Sequence, residues 1–358
     1  MAKKTTVLVT GVGGGSVGRQ VLKALRYVGG NYRVIAVDMT RISMGIEDVE
    51  TSYIVPSARD SAYIATIIEF IKSEKVKYII PGSEPELWEL SVNRAMIERA
   101  GAKLLANPHR VLEICMDKEK TMAFLEEGGY PFPDTITFNS TKGLYLYRQK
   151  ITEMLPVVIK PTIASGGSLN VYLAQDLDEV EFFVKYLQRQ GLAPMVQEYI
   201  GSYNQEYTVG VLTHPVTGDV VSTVILKRFT TSGLSSRIRQ VNRHKDRIDG
   251  DMLIISSGIS QGEIVGEPTV HMFCERLAIG LGARGPINIQ CRLHDGKVYV
   301  FEINPRFSGT TFMRALAGIN EPDLMMRLLN GEPDPDLRNE YGLMLRGLEE
   351  RFVPRQGA

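Results

Sequence analysis

Two side chains that carry oxygen, Glu302 and Asn304, stand two positions apart near the end of the predicted strand 297–304. Side chains alternate between the faces of a strand, so this pair shares a face. Arg306 follows directly after Pro305. Carboxylate and amide oxygens are ligands that Mg²⁺ prefers, and phosphates can fill its remaining positions. The segment predicts a magnesium site beside a phosphate, against the alternative of a solvated polar strand face.

Gln290 joins this pair only in one register of the predicted hairpin. It lies on the preceding strand, 287–293, and the turn is predicted at His294-Asp295-Gly296. A three-residue loop places Gln290 opposite Glu302, whereas a two-residue loop turns it to the wrong face. The aromatic face of the second strand is expected to be buried, with Tyr299, Phe301 and Ile303.

A lysine followed by a glycine loop forms a second candidate site. Lys160 closes an apolar strand, Pro161 follows, and Ser165-Gly166-Gly167-Ser168 comes shortly after. Glycines let backbone N–H groups approach a phosphate closely, and lysine supplies a point charge. An ordinary hairpin with a surface lysine explains this segment equally well.

Two glutamates flank the next predicted strand end. Glu198 closes the segment MVQE, and Glu206 follows one short loop later. A strand-edge backbone can recognise adenine, and a carboxylate can accept hydrogen bonds from ribose hydroxyls. Either glutamate alone is more often a solvated strand residue.

A glycine-rich turn, TGVGGGSVG, follows the first predicted strand. Gly13, Gly15 and Gly18 have the G-x-G-x-x-G spacing, and Asp38 stands where a dinucleotide-binding fold places its ribose-binding acid. The pattern raises a nicotinamide enzyme as one hypothesis, but the glycine spacing alone is a weak indicator.

The elements that must position these residues change in kind along the chain. Strands and helices alternate with short connections over the first hundred residues, which predicts a parallel sheet covered by helices. Beyond about residue 195, longer strands predict a largely antiparallel sheet.

Composition excludes several classes of function. Lys plus Arg equals Asp plus Glu at 41 each, so no overall field recruits nucleic acid or an anionic membrane. No segment predicts a transmembrane helix or a secretory leader. The three cysteines lack paired spacing, so we expect reduced thiols and a cytoplasmic protein.

In this order, the segments make the chain resemble ATP-grasp enzymes over nearly its whole length. The resemblance is closest to stand-alone proteins similar to one synthetase half of the carbamoyl phosphate synthetase large subunit. It implies an α/β and α+β architecture: an ATP-grasp fold with an N-terminal Rossmann-like domain. The implied ATP-binding residues are Lys118, Lys160, Ser165, Gly166, Gly167, Ser168, Glu198, Tyr199, Ile200 and Glu206. The implied metal ligands are Gln290, Glu302 and Asn304, and the implied catalytic residues are Arg306 and Lys160.

The resemblance also implies a reaction. An ADP-forming ligase of this family uses ATP and Mg²⁺ (or Mn²⁺) to convert a carboxylate to an acyl phosphate, which an amine or amino acid then attacks. The implied partners are therefore a small-molecule carboxylate and an amine, without nucleic acid or membrane, and a homodimer is allowed. Carbamoyl-phosphate-type chemistry on bicarbonate and an NAD-dependent oxidoreductase stay as alternatives.

Substrate contacts are expected from two places. The basic stretch 227–247 either is a solvated face or clamps an anionic substrate. The candidate substrate residues are Gly13, Gly14, Ser16, Arg237, Arg239, Ser308 and Thr310.

Four segments are predicted. They are a Rossmann-like domain at 1–110, a small ATP-grasp subdomain with the glycine loop at 111–195, a large subdomain with the metal site at 196–335, and a C-terminal tail at 336–358.

Overall fold

The computed structural model describes residues 4–138, 141–163, 170–333 and 337–351. The chain divides into two compact units. The first unit contains residues 1–104 and takes up the chain again from residue 343, and the second contains residues 105–342. None of the helices in these ranges is both long and apolar enough to cross a membrane.

The first unit alternates strands and helices. Its elements are β1 (Thr5–Thr10), α1 (Val17–Tyr27), β2 (Tyr32–Asp38), β3 (Thr51–Ile54), α2 (Tyr63–Ser73), β4 (Tyr78–Ile80), α3 (Glu84–Val92), α4 (Arg94–Ala100) and β5 (Lys103–Leu104). The strands form one sheet in the order β3-β2-β1-β4-β5, and every neighbouring pair is parallel. The predicted parallel sheet is confirmed.

A tight turn joins β1 to α1. The Ser16 hydroxyl accepts a hydrogen bond from the Arg19 amide and caps the helix. A Cβ on Gly18 would lie 2.5 Å from the Thr10 carbonyl oxygen, so glycine is required where the helix passes the strand. These residues therefore form the tight strand-to-helix turn that the glycine spacing predicts.

The returning C-terminal segment is tied to α1 by charged groups. Glu349 pairs with Arg19 at 2.8 Å and with Lys23 at 2.7 Å. Arg351 pairs with Asp48 at 3.1 Å. The segment 343–351 thus belongs to the first unit through ion pairs.

The second unit contains a small sheet, a large sheet and a separate hairpin. Its helices are α5 (His109–Cys115), α6 (Lys118–Glu127), α7 (Thr141–Leu146), α8 (Arg148–Met154), α9 (Leu177–Arg189), α10 (Pro268–Leu281), α11 (Thr311–Leu316) and α12 (Glu321–Leu329). Its strands are β6 (Thr135–Thr137), β7 (Val157–Pro161), β8 (Tyr172–Ala174), β9 (Pro194–Glu198), β10 (Glu206–Thr213), β11 (Val220–Arg228), β12 (Ser236–Val241), β13 (Met252–Ser256), β14 (Gly262–Val265), β15 (Pro286–His294) and β16 (Lys297–Asn304). A last strand, β17 (Gly342–Met344), spans the boundary between the units.

Both sheets of the second unit are antiparallel in every pair described here. The small sheet has the order β6-β9-β7-β8, and the large sheet runs β16-β15-β10-β11-β14. One core packs α10 against the large sheet, and another packs α8 and α9 against the small sheet. The predicted antiparallel sheet is confirmed, and each sheet has one face buried by helices.

Candidate active site

A cleft in the second unit collects most of the predicted nucleotide and metal residues. Its volume is about 600 Å³, including space open to solvent. The predicted residues that line it are Lys160, Glu198, Tyr199, Ile200, Glu206, Gln290 and Glu302. Side chains from β7, β9, β10, β15 and β16 therefore converge on one cavity, as the resemblance implied.

Lys160 is a buried cation in this cleft, with 7% of its surface exposed. Its Nζ donates to the Gln197 side-chain oxygen at 2.8 Å and to the Phe301 carbonyl at 3.2 Å. Burial and the neighbouring Lys118 lower the pKa of Lys160 to about 7, and Glu302 opposes this shift. An anionic ligand would offset the cost of keeping this ammonium charged.

Lys118 is held next to Lys160 by the start of α6. Asp117 caps this helix by accepting the Glu119 amide at 2.9 Å. The Lys118 amide donates to the Thr162 carbonyl at 3.1 Å, just beyond β7. The two predicted phosphate-binding lysines are therefore close enough for Lys118 to lower the pKa of Lys160.

The hairpin that carries the predicted metal ligands reaches its register by an unexpected route. Its loop has two residues, Asp295 and Gly296, both with positive φ, rather than the three predicted. A register shift between Cys291 and Gln290 leaves Phe301 as an extra residue on β16, and beyond it Gln290 again lies opposite Glu302. This β-bulge compensates for the shorter turn, so the predicted pairing forms although the predicted loop length is wrong.

The bulge also changes which side chains are buried. Val298 and Val300, at 2% and 0% exposed, lie in the core, and so does Ile303 beyond the bulge. Phe301 instead lines the cleft. The prediction that the aromatic residues form the buried face is therefore wrong, because one extra residue exchanges the two faces of the strand.

Two of the predicted metal ligands, Glu302 and Asn304, and Arg306 are joined by hydrogen bonds. The Asn304 amide nitrogen donates to a Glu302 carboxylate oxygen at 3.1 Å. Arg306 donates to the Asn304 side-chain oxygen at 3.0 Å and to the Phe307 carbonyl at 3.1 Å. This arrangement holds one carboxylate and two amides, counting Gln290, at one end of the hairpin, a donor set that fits a hard cation.

The described residues contain no group of three His, Cys, Asp or Glu side chains that could hold a metal ion by themselves. The predicted set has a single acid, Glu302, and two amides. Such a set needs further oxygen ligands, which the phosphates of a nucleotide can supply.

Glu206 is a buried carboxylate that pairs with two arginines, Arg292 and Arg228. It is 2% exposed and accepts from Arg292 at 3.0 and 3.3 Å, and Arg228 lies 3.3 Å from its other oxygen. Burial raises the pKa of Glu206, but the two arginines outweigh burial and hold it below its usual value. Arg292 also stacks over the Tyr199 ring at 4.2 Å and donates to the Ile200 carbonyl at 3.1 Å.

Glu198 lies at the edge of the cleft, where it pairs with Arg247 at 3.3 Å. Its amide donates to the Asp134 carbonyl at 2.8 Å, which ties the end of β9 to the segment that precedes β6. Burial and the nearby Asp134 raise the pKa of Glu198.

The candidate substrate residues lie outside the lining of the cleft in the part of the chain that the structure describes. Arg237 and Arg239 are exposed on β12, and Arg239 donates to the Thr231 carbonyl at 3.1 Å. The Ser308 and Thr310 hydroxyls are buried and bond to each other at 2.7 Å. Their substrate roles stay predictions.

In the first unit, the glycine turn packs against acids. Asp38 is 7% exposed, and its carboxylate accepts from the Ser43 hydroxyl and the Thr40 amide, both at 3.3 Å. A Cβ on Gly13 would lie 3.3 Å from an Asp38 oxygen, whereas Gly14 faces open space. Each Asp38 oxygen thus has one partner within the protein, and the carboxylate is largely buried.

The predicted lid, Ser165 to Ser168, lies outside the described residues. Two residues that line the cleft, Gln197 and Arg292, are absent from the predicted site residues. Two signals were available in the sequence. Gln197 is a polar residue inside an apolar strand, and Arg292 shares the strand face of Gln290.

Two family models match the chain. The model described as "PylC-like, N-terminal domain" matches residues 8–105. The model described as "ATP-grasp in the biosynthetic pathway with Ter operon" matches residues 235–350.

Curated relatives include large chains of carbamoyl phosphate synthase. That of Methanocorpusculum labreanum is 24% identical over 298 residues, covering 81% of this chain and 25% of the relative. That of Thermomicrobium roseum is 24% identical over 259 residues, covering 70% and 22%. The chain thus spans about a quarter of the length of the curated relatives it matches.

Solved structures share the fold at low sequence identity. An L-amino acid ligase from Bacillus licheniformis has a TM-score of 0.65 at 17% identity, covering 95% of this chain and 78% of that chain. A biotin carboxylase from Campylobacter jejuni has a TM-score of 0.65 at 15% identity, covering 94% and 74%. The expected fold and resemblance are confirmed: the chain has an ATP-grasp fold, and its sequence resembles the large chain of carbamoyl phosphate synthase.

Proposed function

We propose that this chain is an ADP-forming ligase that activates a carboxylate with ATP and joins it to an amine or amino acid. The observation that carries the proposal is the convergence of Lys160, Gln290 and Glu302 on one cleft. Buried positive charge suits a triphosphate, and the oxygen ligands suit the cation that accompanies it. The L-amino acid ligase and biotin carboxylase that share the fold support this class of chemistry.

Each part of the cleft has a role in this proposal. Lys118 and Lys160 bind the phosphates, while Tyr199 and Ile200 border the nucleoside. A magnesium ion held by Gln290, Glu302 and Asn304 would neutralise the triphosphate. Arg306, bonded to Asn304, stabilises the charge that develops as the phosphoryl group is transferred. The rate enhancement then comes from alignment of the reactants and stabilisation of charge, without a covalent enzyme intermediate.

Phosphoryl transfer would produce an acyl phosphate and ADP. The amine then attacks the acyl carbon, phosphate leaves, and an amide forms. On this proposal the glycine loop Ser165–Ser168 covers the phosphates, and Arg237, Arg239, Ser308 and Thr310 lie toward the substrates.

A second candidate reaction is carboxyphosphate or carbamoyl-phosphate chemistry on bicarbonate. The observation that favours it is the similarity to carbamoyl phosphate synthase large chains. The two candidate reactions differ in the acid that ATP activates, so one experiment distinguishes them. ADP release is measured across a matrix of carboxylates, including bicarbonate, against amines, including ammonia.

The result expected is Mg²⁺-dependent ADP release with an organic acid and an amine, and a new amide by mass spectrometry. Carbamoyl phosphate formed from bicarbonate and ammonia would favour the second candidate. Absence of Mg-ATP binding in the folded protein would refute both. A nicotinamide oxidoreductase is disfavoured because the Asp38 carboxylate that would bind the ribose is 7% exposed and bonded to Ser43 and Thr40.

A further inference from the structure

Gln197 is a buried polar residue in the middle of the small sheet, with no role in the proposed chemistry so far. It lies on β9, between β6 and β7, and is 2% exposed. It lines the cleft together with Lys160. A polar side chain this deeply buried is costly unless its hydrogen bonds are satisfied.

The orientation of the Gln197 amide is determined by its neighbours. The Thr135 hydroxyl donates to the Pro133 carbonyl at 2.8 Å, so its oxygen is available only to accept. The Gln197 amide nitrogen donates to that oxygen at 2.9 Å. The amide oxygen of Gln197 therefore faces Lys160 and accepts from its Nζ at 2.8 Å.

Both partners of the Lys160 ammonium are neutral. One is the Gln197 amide oxygen, and the other is the carbonyl of Phe301 at the bulge, 3.2 Å away. An ammonium has three donors, and within the described ranges two of them have acceptors, so a third can bond to a ligand. Neutral acceptors also add no negative charge beside the ammonium, whereas a carboxylate at position 197 would cancel its charge.

We propose that Gln197 is a positioning residue: through the chain Pro133–Thr135–Gln197 it holds the Lys160 ammonium for the phosphates of the bound nucleotide without neutralising it. This inference rests on the proposed function, since it assumes that the cleft binds a nucleoside triphosphate.

The test compares binding of Mg-ATP with binding of adenosine by calorimetry. Gln197→Met removes the acceptor, and Thr135→Val removes the group that orients the amide without touching Lys160. Gln190→Met, exposed at the end of α9, and Thr137→Val, two residues along β6, are matched controls. Gln197→Glu keeps an acceptor beside Lys160 but adds a negative charge.

Gln197→Met should weaken Mg-ATP binding about tenfold or more, which is the order expected for one lost hydrogen bond to a charged group. Gln197→Glu should weaken it at least as much, because its carboxylate cancels the charge that Lys160 offers to the phosphates. Thr135→Val should weaken it less. Adenosine affinity should stay unchanged in all three, because only the phosphates meet Lys160, and both controls should match the wild type.

Equal losses for Mg-ATP and adenosine would show a structural role and overturn the inference. Wild-type Mg-ATP affinity in folded Gln197→Glu would overturn it as well, while leaving the proposed function intact. A wild-type protein that binds no Mg-ATP would refute the proposed function and this inference with it. If Gln197→Met does not fold, Thr135→Val still tests the inference. Unchanged Mg-ATP affinity in Thr135→Val would contradict the proposal that Thr135 orients the Gln197 amide.

Discussion

A buried acid in the first unit should make stability depend on pH in an unusual direction. Glu86, on α3, is 7% exposed and accepts hydrogen bonds from the Ser83 hydroxyl at 2.6 Å and the Tyr63 hydroxyl at 3.3 Å. Burial raises its pKa to about 7 from the ordinary 4.5, although the hydrogen bonds from Ser83 and Thr10 oppose the shift. The folded state therefore holds a proton that the unfolded chain has already lost.

The sign and size of the effect follow from this difference. Between the two pKa values the folded state binds more protons than the unfolded state, so the free energy of unfolding falls as pH rises. Each unit of pKa difference corresponds to about 1.4 kcal/mol, so Glu86 should lower the free energy of unfolding by about 2 to 3 kcal/mol between about pH 5 and about pH 8. Glu86→Gln, which stays uncharged and keeps a hydrogen-bonding oxygen, should remove this cost.

The chain offers a local reporter for this test. Its single tryptophan, Trp88, lies on α3 two residues from Glu86, so its fluorescence follows unfolding of the first unit in urea. We expect the free energy of unfolding of Glu86→Gln to rise by about 2 to 3 kcal/mol relative to that of the wild type on going from about pH 5 to about pH 8. Glu69→Gln, exposed on α2, serves as the control and should follow the wild type. A constant difference between Glu86→Gln and wild type across this range would refute the reasoning.

Three further predictions concern the proposed binding of Mg-ATP. Alanine at Glu302 or Asn304 should reduce Mg²⁺-dependent ATP turnover by more than the roughly 10- to 100-fold that loss of an outer-shell partner costs, and wild-type rates in the folded variants would contradict the metal assignment. Hydrogen exchange of the amides of residues 163–169 should slow when Mg-ATP is added, because a loop that covers the phosphates is open without nucleotide and closed over it. Equal hydrogen exchange with and without ATP would count against a lid. Tight Mg-ATP binding should survive Gly15→Val and be lost in Lys160→Ala, whereas micromolar NADH binding that Gly15→Val abolishes would restore the dinucleotide hypothesis.

The sequence predicted the site best where local rules were sufficient. Glu302 and Asn304 follow an apolar strand and precede Pro305 and Arg306, and this order alone indicated a metal and phosphate site. The hydrogen bonds that link Glu302, Asn304 and Arg306 agree with that interpretation. Such local patterns are informative because strand alternation is a property of the backbone itself.

Prediction failed where a single residue changed the register. The hairpin has a two-residue loop, and the bulge at Phe301 returns Gln290 to its place opposite Glu302. Turn length and bulge compensate for each other, so the pairing could be right while both the loop and the buried face were wrong. A bulge depends on how β16 pairs with β15 and packs on the core, and the strand sequence alone does not contain that information.

By itself, the sequence determined the kinds of element, the glycine turn after β1 and the residue types suited to phosphate and metal, because propensity and spacing act over a few residues. Only the tertiary structure decided which partners those residues have. It gave Lys160 two neutral acceptors, and it placed Arg228 and Arg292 on Glu206, across strands far apart in the chain. Such contacts depend on which strands pair and in what register, so they arise only when distant segments pack together.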